Sequence, residues 1–314
     1  MTRPVLVMMR PLPLPLLRVN GEEIQVRQFD GDFSIFEGAT VLCSIVLDVI
    51  DANFIAALPD SVKLIANIGT GYDHIDIDAA TDRGIRVTNT PVVAEDTADL
   101  TFLLILASAR QLTANQSFLR AGLWASNQPA IRMGKSVHGA TLGVIGFGAI
   151  GQAVARRAKS FNMNVIYYGP RRKRAAEEQV GATYFKTLED MLATADIVSL
   201  HCPLTEQTKH IINAQTLSAM KSDAVLVNTG RGALIDEAAF VDSMKAGHLS
   251  GAGLDVFEFE PDMHPGLLEL DNITLTPHIG AATAQCHSLI GACAIENILA
   301  QFEGRELISC VNPH

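Results

Sequence analysis

Cysteine is scarce. The 314 residues hold five, Cys43, Cys202, Cys286, Cys293 and Cys310, with no CxxC and no paired spacing. This excludes a disulfide-stapled fold and points to reduced, mostly buried thiols in a reducing compartment, with the cytoplasm as the expected location. Long apolar runs are missing too. The helical stretch of residues 100–109, between Asp99 and Arg110, is half of the roughly 20 residues that a membrane helix needs. Residues 5–9 are too few for a signal-peptide core, and prolines come directly after them. Basic charge is in deficit, with 24 Lys and Arg against 34 Asp and Glu and a net charge of −10. That excludes a polyanion such as nucleic acid as partner. There is neither a low-complexity linker nor a repeat of solenoid period. What is present is a chain that is 48% hydrophobic and 18% charged, enough for a sizeable core and about two domains.

Short β-branched runs alternate with helical patterns throughout, the mark of parallel α/β layers. The first series has strands at 5–9, 40–44, 63–67 and 84–88, with a helix at 51–58 stopped by Pro59. Helical spacing continues over 97–111 and 115–121. A second series has strands at 141–145, 164–168, 197–200, 224–228, 251–256 and 273–276, and the chain closes on a helix at 283–303. The first series is short of strands. The closing helix is therefore expected to return to it, making the second series an insertion.

The strand at 141–145 runs into Gly146-Phe147-Gly148-Ala149-Ile150-Gly151 and then a helix. One glycine allows the tight turn, one lets the backbone approach a pyrophosphate, and the third lets helix and strand pack closely. The helix start adds free N–H groups and a positive dipole end. Dinucleotide binding is the expectation. An acid about 20 residues on would hold the ribose 2′-hydroxyl of NAD. Residues 152–176 contain no acid and seven basic residues, and the second strand ends in Tyr168-Gly169-Pro170-Arg171-Arg172-Lys173-Arg174. Arg171 and Arg172 are suited to a 2′-phosphate, so NADP(H) is the preferred cofactor and NAD(H) the second; Lys173 and Arg174 read as a solvated turn.

Three later strands end in polar motifs: Asn228-Thr229-Gly230-Arg231-Gly232, Asp255-Val256-Phe257-Glu258-Phe259-Glu260-Pro261 and Thr276-Pro277-His278-Ile279-Gly280. Ligands of open α/β sheets bind at that edge. Arg suits a carboxylate, His passes a proton near neutral pH, and Glu holds that proton on the ring. Asp73, His74, Asp76 and Asp78 read as a helix start rather than a metal site; no metal is expected.

With these motifs, and with Asn67-Ile68-Gly69-Thr70-Gly71-Tyr72-Asp73-His74-Ile75-Asp76, Val87-Thr88-Asn89-Thr90-Pro91, Asp96-Thr97-Ala98-Asp99 and His201-Cys202-Pro203-Leu204-Thr205, the chain resembles the D-2-hydroxyacid dehydrogenase family over essentially its whole length. Within the family it is most similar to the glyoxylate/hydroxypyruvate reductase branch. The resemblance implies an α/β protein of two Rossmann-like domains, with a dinucleotide-binding domain (97–284) inserted into a substrate domain (1–96 and 285–314), in a homodimer. It implies that Arg231 binds the substrate carboxylate and keto oxygen, that His278 is the proton donor and Glu260 its partner, and that the N–H groups of the loop Ile68, Gly69, Thr70 and Gly71 meet the carboxylate. Thr97 and Asp255 would lie by the nicotinamide. His201, Cys202, Pro203 and Thr208 would line the cofactor groove, with Asn228, Thr229, Gly230 and Gly280 beside it. The NADP-using branch often has Ser or Thr followed by Arg where this chain has Gly169-Pro170, which would weaken phosphate binding. Residues 44–47 (Ser44 to Leu47) and Trp124 are candidates for the border of the substrate-tail pocket, Trp124 equally for core or dimer packing. Reductases of larger 2-keto acids, such as 2-ketogluconate or an arylpyruvate, and a dinucleotide-sensing corepressor-like scaffold are the alternatives.

Overall fold

The computed structural model describes residues 3–124 and 131–312. The chain forms two compact units, one of residues 1–93 with 283–314, the other of residues 94–282.

The first unit contains β1 (Val5–Met8), β2 (Arg18–Val19), β3 (Glu22–Glu23), β4 (Gln25–Gln28), β5 (Val41–Ile45), β6 (Leu64–Ile68) and β7 (Arg86–Thr88). β2 and β3 pair as a small antiparallel ribbon, and the other five form a parallel sheet in the order β4-β1-β5-β6-β7. Alternate residues of the central strands face opposite ways. Val5, Val7, Leu42 and Ile65 pack with Ile55 and Ala80 of the helices Ala52–Ala57 and Ile77–Asp82. Leu6, Met8, Val41, Cys43, Leu64 and Ala66 pack with Ile298 and Ala300 of the C-terminal helix Ala284–Glu303. Both faces are covered, so the strands read as continuous apolar runs rather than alternating ones. Asp51 and Asp76 cap the two short helices, accepting from Phe54 N at 2.8 Å and Ala79 N at 2.9 Å. The C-terminal segment is tied in by Asn312, whose amide accepts from Val87 N at 2.7 Å and donates to Ile85 O at 3.0 Å and Thr81 Oγ1 at 2.9 Å.

The second unit contains β8 (Thr141–Ile145), β9 (Asn164–Tyr168), β10 (Ala182–Tyr184), β11 (Ile197–Leu200), β12 (Val225–Asn228), β13 (Gly251–Leu254) and β14 (Ile273–Leu275). They form one parallel sheet in the order β10-β9-β8-β11-β12-β13-β14. The chain winds outward from β8 to β10, then returns to the other side of β8 and winds away. The reversal opens a crevice at the carboxyl ends of β8 and β11, where ligands of such sheets bind. Phe102, Leu104 and Ile105 of the helix Ala94–Ala109 join Leu142, Val144 and Val165 in the core on one face. Among the described residues, no helix is long and apolar enough to cross a membrane.

Candidate functional site

The glycine loop lies at the point where the strand order reverses. Gly146 has φ +93°, and a Cβ there would lie 2.4 Å from Cys202 N and 2.6 Å from the His201 carbonyl carbon. The turns after β8 and β11 therefore touch backbone to backbone, which only glycine permits. At Gly151 a Cβ would strike Gly146 O at 2.3 Å, so the helix Ala149–Ser160 starts tight against the turn. Gly148 faces open space, and no side chain caps this helix start. The result is a bare cradle of N–H groups, the form a diphosphate requires. Phe147 stacks on buried Tyr167 of β9 at a ring distance of 4.1 Å. His201 Nε2 is 2.8 Å from Ser199 Oγ, while its Nδ1 is buried without a hydrogen-bond partner. Burial holds its pKa at about 3, so the ring is neutral. An orphaned polar nitrogen beside an open cradle fits a polar ligand there. Pro203 and Thr208 close the next turn on each other, the Thr208 hydroxyl donating to Pro203 O at 2.6 Å.

Three strand ends of the same sheet bring the acid–base groups together. His278 Nδ1 is 2.7 Å from Glu260 Oε2, and Glu260 Oε1 accepts from Phe257 N at 2.9 Å. Burial pushes the Glu260 carboxyl up, but the bonds from His278 and Phe257 and the charges of His278 and Arg231 outweigh it and hold it below the usual glutamate value. Glu260 is thus a carboxylate at neutral pH, with one oxygen directed at the ring. His278 sits at φ +52°, a backbone conformation rare for a histidine, with its N–H on Asp255 O at 2.7 Å. Buried Asp255 holds the two backbone N–H groups that follow that residue and a hydroxyl two residues before it, accepting from Ile279 N at 2.8 Å, Gly280 N at 2.9 Å and Thr276 Oγ1 at 2.7 Å. Burial outweighs these bonds and raises the Asp255 pKa. Thr97 borders Gly280, its Oγ1 3.6 Å from where a Cβ would be. Asn228 shapes the arginine loop, accepting from Gly230 N at 3.0 Å and donating to Arg231 O at 2.8 Å, and Arg231 Nη1 donates to Gly230 O at 2.9 Å. Thr229 and Thr101 share a buried hydroxyl pair at 2.7 Å.

Sequence reasoning missed the parts that hold these loops. At Gly232 a Cβ would fall 1.8 Å from the Phe257 carbonyl carbon, so the arginine loop lies directly on the backbone that leads to Glu260. Buried Glu237 accepts from Glu258 N at 2.8 Å and His264 N at 2.9 Å, and His210 Nε2 is 2.7 Å from Glu258 Oε1. In sequence Glu237 looks like an ordinary acid in a helix's first turn, and no signal distinguishes it. At the basic turn the two arginines differ. Arg172 is held by Glu177, whereas Arg171 is exposed with no hydrogen bond or ion pair among the described residues.

In the first unit the loop after β6 has a one-sided character. Its carbonyls are all taken: Gly69 O by Asn67 Nδ2 at 3.1 Å and Thr90 N at 2.9 Å, Gly71 O by Asn67 Nδ2 at 2.9 Å, and Thr70 O by Asn89 Nδ2 at 2.8 Å. The N–H groups of Gly69, Thr70 and Gly71 have no acceptor among the described residues. Such a loop offers donors to an anion. Asn67→Ala is expected to raise KM for a keto acid about tenfold with little change in kcat, since freed carbonyls cost roughly 1–3 kcal/mol and let the loop turn; steady-state kinetics checks it. Leu47 is exposed next to Asp48, which takes Arg10 Nε at 2.7 Å, and Ser44 is buried at the same sheet edge. Trp124, 70% exposed, is not a core residue; it lines a groove of the second unit with Leu119, Ile131 and Met133.

Residues 102–280 match the D-isomer specific 2-hydroxyacid dehydrogenase, NAD binding domain. The chain is 44% identical to a glyoxylate reductase of Thermococcus litoralis over 86% of its own length and 83% of that protein's. It is similar to the crystal structure of a glyoxylate reductase from Paecilomyes thermophila, at a TM-score of 0.89, 32% identity and 99% coverage of both chains. An NADPH-dependent glyoxylate/hydroxypyruvate reductase of Sinorhizobium meliloti, solved with NADP and malonate, matches at a TM-score of 0.86 and 31% identity, over 99% of this chain and 97% of that one. The chain belongs to the D-isomer specific 2-hydroxyacid dehydrogenase family. It is an oxidoreductase acting on the CH–OH group of 2-hydroxy acids, and its second unit is the family's NAD-binding domain.

Proposed function

We propose that the protein reduces a small 2-keto acid of the glyoxylate or hydroxypyruvate type to the D-2-hydroxy acid, with NADPH preferred and NADH accepted. The Glu260–His278 pair at 2.7 Å carries this reading, because it pairs a carboxylate with a ring able to hold and release one proton. When bound, the reduced nicotinamide supplies the hydride. Residues 146–151 would hold the diphosphate, with His201, Cys202, Pro203 and Thr208 along the groove, and Thr97, Asn228, Thr229, Gly230, Asp255 and Gly280 toward the nicotinamide end. His278 donates its proton from Nε2 to the developing alkoxide, since Nδ1 is engaged by Glu260. Arg231 binds the carboxylate and keto oxygen and stabilises the charge that grows there. In the first unit, the N–H groups of residues 68–71 are donors for an anionic group. Similarity to glyoxylate reductases supports the substrate class, and the NADP-bound relative supports the cofactor.

The test is oxidation of NADPH and of NADH against a panel of 2-keto acids that includes 2-ketogluconate and an arylpyruvate. The expected result is the highest kcat/KM on glyoxylate or hydroxypyruvate with NADPH. No turnover on any member would overturn the reductase reading, and a corepressor-like scaffold would take its place. We further infer a homodimer. Exposed Leu119, Trp124, Ile131 and Met133 border a groove of about 880 Å³ in the second unit, an apolar surface of the kind subunits cover. Sedimentation equilibrium of the same preparation separates a dimer from a monomer.

A further inference from the structure

The turn after β9 carries two adjacent arginines, and the residues beneath it treat them unequally. Arg172 lays its guanidinium along the carboxylate of Glu177, with Nε at 2.9 Å from Oε1 and Nη2 at 2.8 Å from Oε2. The Glu177 side chain is only 10% exposed. Its Oε1 also accepts the Tyr167 hydroxyl at 2.6 Å, and that hydroxyl accepts from Lys173 N at 2.7 Å. Tyr167 is fully buried and stacks on Phe147 of the glycine loop at 4.1 Å. Arg172 is therefore the outer end of a chain of contacts that runs through Glu177 and Tyr167 to the phosphate cradle. Its charge is matched by a partner that the buried Tyr167 hydroxyl holds in place. Arg171, one residue earlier, is exposed and makes no hydrogen bond or ion pair among the described residues.

We propose that Arg171 alone reads the 2′-phosphate, while Arg172 is a positioning residue whose charge Glu177 withholds from the cofactor. This rests on the NADPH reading and sharpens it. A turn with two free guanidiniums would bind the phosphate bidentately and discriminate strongly against NADH. A turn with one free guanidinium and a carboxylate next door discriminates modestly, and Glu177 is the residue that sets how modestly. Only the Arg172 face turned away from Glu177 keeps donors to spare.

The test is calorimetric titration of the intact protein with adenosine 2′,5′-bisphosphate and with AMP, which lacks the 2′-phosphate. In the unmodified protein the bisphosphate is expected to bind at least tenfold tighter. Equal affinities there would show that the NADPH reading itself fails, and this proposal with it. Given the preference, Arg171→Ala is expected to abolish it, Arg172→Ala to keep it within about threefold, and Glu177→Gln to increase it about fivefold by removing a repelling charge while keeping an acceptor for Tyr167. The proposal is overturned if Arg172→Ala loses as much preference as Arg171→Ala, or if Glu177→Gln leaves the preference unchanged or lowers it. Equilibrium binding reads the contact directly, so a change confined to turnover cannot imitate either result.

Discussion

His278→Ala is expected to lower kcat for keto-acid reduction by about 10²–10⁴-fold, with nucleotide binding retained. The expectation comes from the placement of the ring. The Glu260 carboxylate fixes Nδ1 at 2.7 Å, and Asp255 secures the backbone at His278, Ile279 and Gly280. The ring therefore offers one nitrogen and one proton in a set direction. Unchanged turnover would remove His278 from the acid role. Glu260→Gln is the companion variant. It keeps the side chain's shape but loses the carboxylate that accepts at Nδ1 and fixes the ring, so kcat is expected to fall about tenfold with KM little changed, which steady-state kinetics checks. The same carboxyl contributes to stability with a defined sign. Its folded-state pKa lies below the usual glutamate value, so its contribution is present above that value and lost as pH falls through the depressed one. The stability gap between the protein and Glu260→Gln should accordingly close under acid, which chemical denaturation at neutral and acid pH checks.

Gly232→Ala is expected to be nearly as damaging, although a single methyl is added and no functional group is removed. The new carbon would lie 1.8 Å from the Phe257 carbonyl carbon and 1.9 Å from its oxygen, and both are backbone atoms that cannot swing aside. One loop or the other must move. One carries Arg231; the other carries Phe257 N, which holds Glu260. Overpacking of this kind costs about 3 kcal/mol, and, on the proposed function, displacing the loop that carries Arg231 is expected to cost about 100-fold in rate. A thermal melt together with kcat reads both losses. Normal stability and rate in this variant would mean that the two loops are not in register contact.

Much of this was legible in the sequence, and the reason is physical. Strands buried on both faces, such as Val5–Met8 and Val225–Asn228, must be apolar throughout and therefore announce themselves. The glycine loop was legible because only glycine tolerates the contacts at residues 146 and 151. Gln25–Gln28 was invisible because it is a polar edge strand paired on one side only, with no apolar run to betray it. Arg231, Glu260 and His278 could be picked out as polar residues just past strand ends. Glu177 and Glu237 could not. Glu177 is covered by Arg172 and Tyr167 from the strand end and turn just before it, and Glu237 is buried against backbone more than twenty residues on, but a helix's first turn is where any sequence places a glutamate.

The way Asn312 is stitched into β7 and its neighbouring helix has a consequence for biosynthesis. During translation the opening 93 residues emerge without the helix and tail that cover one side of their sheet, and residues 94–282 must be made before that cover arrives. At about 5–20 residues per second the wait is roughly 10–40 s. Through that interval the beginning holds bare apolar strands in the crowd around the ribosome. The nascent chain's need for a chaperone is thus concentrated in its first third.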